Sequence, residues 1–104
     1  MKPIISEHAK ERVSERVGVS KSSAERLTML AKERGVRMED IAGKFRHYLN
    51  NERHHHYNDD VILYGNALYM FNDGVCATVL VVPERFRKTA EMVQKKHSKE
   101  KNNE

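Results

Sequence analysis

Between Val61 and Val82 the chain carries three apolar runs: Val61-Ile62-Leu63-Tyr64, Ala67-Leu68-Tyr69-Met70-Phe71 and Val75 to Val82. Only Gly65-Asn66 and Asn72-Asp73-Gly74 separate them. No other feature restricts the fold as much. Short runs rich in β-branched and aromatic residues, bounded by turn residues, read as strands. Connections this short leave room only for hairpins, so the strands form an antiparallel meander. Both of its faces are largely apolar, and one of them needs a helical layer over it. Pro83 closes the block, because proline has no N–H to give to a ladder. On the face away from the helices one polar residue stands out, Thr78, read as flanked on its own side by Cys76 and Leu80.

Before and after this block the apolar period is helical. Ile5, Ala9, Val13 and Val17 recur at a spacing of four and form one stripe of a first helix, Ser6 to Val17. Gly18 ends it as a C-cap. Ser20 and Ser22 both offer N-caps to a second helix, Lys21 to Arg34, and Ser22 with Glu25 makes a capping-box pattern. Gly35 stops that helix, and the very short loop between the two makes them a hairpin. A third helix spans about Glu39 to Arg53, with Ile41, Phe45, Tyr48 and Leu49 on its buried face. A last helix runs from Glu84 to about Lys96. Helices, then strands, then a helix define an α+β fold, with N-terminal helices packed on a three- to four-stranded antiparallel meander and a C-terminal helix. The sheet should be confined to about Val61–Val82. Residues 1–97 form a single domain, and 98–104 read as a disordered basic and polar tail, since that composition buries nothing.

Charge and cysteine usage narrow the setting. The formal net charge is +4 and a third of the residues are charged, a surplus that fits a polyanion such as RNA. The lone Cys76 excludes an intrachain disulfide framework and fits a reducing compartment. The first residues lack the apolar core of a signal peptide, and no apolar run is long enough to span a bilayer. A cytoplasmic protein, of a bacterial cell or a phage host, is expected.

The first helix is where chemistry concentrates. His8, Arg12 and Arg16 share the spacing of the apolar stripe but sit about 100° around the helix from it. A proton-transfer group beside fixed positive charge suits reaction at a phosphodiester. The plainer reading is a solvated face in which Glu11 and Glu15 pair with the arginines. On the third helix Arg46, Arg53 and the run His54-His55-His56 are candidates for contact with nucleic-acid phosphates, and Tyr69 for contact with a base. Three consecutive histidines point in different directions and make a poor chelate. His47 and His54 share a helix face, but no second cluster completes a site, so no metal and no cofactor are expected.

His8-Ala9-x-x-Arg12-Val13-x-x-Arg16 opening a helix, followed by Ala67-Leu68-Tyr69-Met70-Phe71 in one strand and Ala77-Thr78-Val79-Leu80 in the next, resembles the small ribonuclease-like domains of the barnase–EndoU–colicin–RelE group of bacterial toxins and phage proteins. The resemblance implies a helical layer on a twisted antiparallel sheet and metal-independent RNA cleavage. It also implies an active face formed by His8, Arg12, Arg16 and Thr78. Two features depart from the pattern: a long linking region carrying the third helix, and Val17 before Gly18. In such a reaction the 2′-OH attacks the adjacent phosphorus, and histidine can serve as base or acid. The arginines clamp the phosphate through forked donors, and Thr78 donates to phosphate or 2′-OH. A second proton carrier is missing from the helix; a histidine of the 54–56 run or Tyr69 would have to supply it. The alternative is a non-catalytic binding module on the same fold that engages a host protein or nucleic acid. A toxic nuclease would also need a protein inhibitor. Because the polar tail buries no apolar surface, deleting Ser98–Glu104 should leave the melting temperature nearly unchanged in a thermal scan; a large drop would show that it docks.

Overall fold

A computed structural model describes residues 4–102. Their order is α1 (Glu7–Val17), α2 (Lys21–Arg34), β1 (Val36–Arg37), a 3-10 turn at Met38–Asp40, α3 (Gly43–His55), β2 (Asp60–Tyr64), β3 (Ala67–Asn72), β4 (Val75–Val81), a 3-10 turn at Glu84–Phe86 and α4 (Arg87–Asn102). The strands form one antiparallel sheet in the order β1-β2-β3-β4. The fold is α+β, as the change of hydrophobic period requires.

Both sheet faces are covered, not one. Ile62, Tyr69, Phe71 and Val79 pack with Ala9 and Val13 of α1 and Ala24 and Ala31 of α2. Val61, Leu63, Leu68 and Met70 pack with Phe45 and Leu49 of α3 and Ala90 of α4. Successive strand residues point to opposite sides, so the unbroken apolar run of β3 demands a layer on each face. The ring of Phe86 ties the second layer together, 5.0 Å from the ring of Phe45 and 5.2 Å from that of Tyr48.

The sheet is not confined to Val61–Val82. Val36 and Arg37 add a fourth strand, registered on Leu63 and Ile62. Two residues are too few to show alternation, which is why the periodicity gave no sign of it. Opposite, the edge of β4 is partly closed by the chain's own Ile4–Ser6. Ile5 bridges Cys76 in parallel, with the Cys76 N–H donating to the Ile4 carbonyl at 2.8 Å and the Ser6 N–H to the Cys76 carbonyl at 3.0 Å.

Local signals set most helix ends. Ser6 caps α1 by accepting the Ala9 N–H at 3.1 Å, and Gly18 ends it in the left-handed conformation at φ 79°. Ser20 caps α2, accepting from the Ser23 N–H; the Ser22–Glu25 box is not used, because the helix has already begun at Lys21. The third helix begins at Gly43, later than Glu39, since Met38–Asp40 form a 3-10 turn. Ile41 is buried from the link between them. The last helix continues to Asn102, into the segment expected to be disordered. Lys99, Glu100 and Lys101 are good helix formers that extend an existing helix. Residues 103–104 of that tail lie outside the described residues.

Gly35 passes so close to β2 that a Cβ there would run into Ile62 Cγ2 and the Ala31 carbonyl. Its φ of −72° suits any residue, so the demand is purely one of space. Gly35→Ala should therefore destabilise the fold by about 1–3 kcal/mol, read as a lower urea midpoint with unchanged slope.

Candidate functional site: the hairpin end of the first helix

On α1, Ala9 and Val13 are fully buried, which turns His8 to solvent and leaves Arg12 half-buried beside it. Arg12 Nε donates to His8 Nε2 at 3.4 Å, so imidazole and guanidinium do sit together. They share the helix with carboxylates. Arg12 Nη1 lies 3.4 Å from Glu15, Lys10 lies 3.2 Å from Glu7, and Lys21 of α2 lies 3.8 Å from Glu11. Exposed pairs of this kind contribute roughly 0–1 kcal/mol each, but they offset the positive field along the helix. Arg16 is engaged differently. Its Nη1 donates to the Val79 carbonyl of β4, leaving the rest of its donor fork available.

Thr78 does not join these residues. It pairs with Met70, whose side chain belongs to the α3/α4 face. The cause is a bulge: Phe71 registers with Cys76 but Met70 with Thr78, so Ala77 is an extra residue. One inserted residue reverses the facing of everything after it. Cys76 therefore faces α1 while Thr78 and Leu80 face away, where simple alternation places all three together. His8, Arg12 and Arg16 lie on one side of the sheet and Thr78 on the other.

The third-helix candidates also sit across the sheet from α1. Arg46 reaches the Glu39 carbonyl at 3.5 Å. Arg53 Nη2 donates to Asn50 Oδ1 at 3.0 Å and lies 3.3 Å from His54 Nε2. His55 and His56 meet edge to face at 5.1 Å, and His56 Nε2 is 3.4 Å from Glu52. Among the described residues no group of three His, Cys, Asp or Glu side chains is placed to hold a metal ion. None of their helices is long and apolar enough to cross a membrane.

Two candidates do converge. At the end of α1, Arg16 and Tyr69 line a cleft of about 220 Å³, walled by Val17, Leu27, Tyr64 and Val81 and bounded by the β2–β3 turn. Val17 and Val81 keep 38% and 40% of their surfaces exposed, an apolar rim. Tyr69 is only 2% exposed. Burial pushes its pKa from 10.0 up to about 12, so the phenol stays protonated and can donate. The cleft offers one guanidinium and two tyrosines, the buried Tyr69 and the half-buried Tyr64, in a mostly apolar setting. Leu27 reads as core from its spacing, and Val81 as an ordinary strand residue; only the Gly65-Asn66 turn hints that strand ends and a helix end meet here.

No protein-family description, curated protein or solved structure matches the chain.

Cys76 and Tyr69 are neighbours in one core, and burial raises both, Cys76 from 9.0 to about 12. Each holds its proton more tightly folded than unfolded. Their contribution to stability is thus complete below the ordinary thiol and phenol values and is lost as pH rises toward about 12. Urea midpoints should fall across that alkaline window, and fall less steeply in Tyr69→Phe/Cys76→Ala. An equally steep fall in the variant would assign the alkaline loss to other groups.

Proposed function

We propose that this chain is a non-catalytic RNA-binding module that takes single-stranded RNA at the Arg16–Tyr69 cleft, in the cytoplasm of a bacterial cell or phage host. The observation that carries this reading is the convergence of Arg16 and Tyr69 while Thr78 faces the opposite side of the sheet. Within one cleft Arg16 brings a donor fork for the backbone, while Tyr69 and Tyr64 bring a neutral phenol and an aromatic ring for a base, the kind of set that grips a strand by charge and stacking. Cleavage would need a base and an acid at one phosphorus. His8 stands two helical turns from Arg16, about 12 Å along the axis, and does not line the cleft. The basic residues of α3 and the mild excess of positive charge add affinity without sequence preference.

The His8–Arg12 contact at 3.4 Å is the one observation that favours the second reading, a metal-independent endoribonuclease of the toxin type restrained by a protein inhibitor. One experiment separates them: fluorescein-labelled single-stranded RNA, its anisotropy and integrity followed together in the presence of EDTA. Intact RNA should be retained, Arg16→Ala should weaken binding about tenfold, and His8→Ala and Thr78→Val should bind like wild type. RNA cut by the wild type and spared by His8→Ala would replace the binding reading with the nuclease.

A further inference from the structure

The Arg16–Tyr69 cleft has a neighbour on the far side of the β2–β3 turn. A second, broader concavity is lined by Arg87, Glu91, Gln94 and Lys95 of α4, and the two share Gly65 and Asn66. The turn is thus a ridge between two hollows, and it is held in place. Gln94 accepts the Gly65 N–H at 2.8 Å through Oε1 and donates Nε2 to the Gly65 carbonyl at 2.9 Å. The same amide donates to the Ala90 carbonyl at 3.2 Å, which anchors it to its own helix. A side-chain amide pairing the N–H and the carbonyl of one residue does what a neighbouring strand would do.

The two hollows differ in chemistry. The first is about 220 Å³, mostly apolar, with Tyr64 and Tyr69 in its lining. That is below the roughly 300–1,000 Å³ of clefts for drug-sized ligands, a size for one planar ring system. The second is open and carries Arg87 and Lys95 against the single carboxylate of Glu91, which suits a solvated phosphate rather than a ring. Resting on the RNA-binding reading above, we infer that one nucleic-acid strand crosses the Gly65–Asn66 ridge, seating a base in the Arg16–Tyr69 cleft and a neighbouring phosphate on Arg87 and Lys95. Tyr64 stacks on the base and Tyr69, protonated, donates to it. Because any base has a π-face, the site reads the presence of a base more than its identity.

The test compares two labelled strands of equal length and charge by fluorescence anisotropy, one of RNA and one abasic. The wild type should bind the RNA about tenfold tighter than the abasic strand. Tyr69→Phe and Tyr64→Leu should each erode that preference while leaving the abasic affinity unchanged. Arg87→Ala/Lys95→Ala should weaken both strands alike and flatten the salt dependence by about one unit of slope. Thermal scans of each variant establish that it folds; Tyr64 lies half-buried at the cleft wall, so Tyr64→Leu keeps the test open if Tyr69→Phe does not fold. Equal wild-type affinity for the two strands overturns the base seat while the RNA reading stands. An unchanged Arg87→Ala/Lys95→Ala protein overturns the path across the ridge. Binding of neither strand overturns the RNA reading itself.

Discussion

The unbroken burial of β3 governs the rest of the structure. Ala67 through Phe71 are all buried, and a strand buried on both sides cannot be satisfied by a single helical layer. Each face draws its own apolar stripe from the helices: Ala9 and Val13 from below, Phe45 and Leu49 from above. The N-terminal pair of helices brings small residues, Ala9, Ala24 and Ala31, and so lies close to the large Tyr69 and Phe71. The other layer reverses the arrangement, with Phe45, Tyr48 and Phe86 filling the space above Leu63, Leu68 and Met70. Large side chains face small ones on one side and aliphatic ones on the other, the complementarity that close packing needs.

With the sheet enclosed, polar chemistry is pushed to its ends and edges. The Arg16–Tyr69 cleft lies where α1 stops, where β2 turns into β3 and where β4 runs out, so no layer covers it. A bulge opposite Met70 and Phe71 decides which side chains can reach it. Were the pairing one to one, Ala77 would stand opposite Met70 and Thr78 would keep the facing of Cys76, toward α1. The insertion of one residue thus does more to the candidate site than any single charge does.

Much of this was legible in the residues, and what was not has a common cause. The bounds of α2, the Gly18 cap and both hairpin turns follow from short-range chemistry acting between neighbours, and short-range chemistry is what a sequence displays. So does the convergence of polar candidates on α1. The two-residue β1, the second covering layer and the bulge depend on register between distant strands, which no local period records. Alternation places Thr78 beside Cys76, a rule that holds only while pairing is one to one. Arg16 and Tyr69 were each visible as candidates; that they share a cleft, with Leu27 and Val81, follows from the way β2, β3 and β4 end together.

The bridge between Ile5 and Cys76 bears on how the chain matures as it is made. Ile4–Ser6 leaves the ribosome long before its partner strand, and α1, whose Ala9–Val13 stripe needs the same strand, must wait with it. The helix made first among the described elements is therefore among the last to be seated. Until β4 emerges, its apolar side is open to whatever else is nearby, and a chaperone or a second nascent chain would meet that surface first.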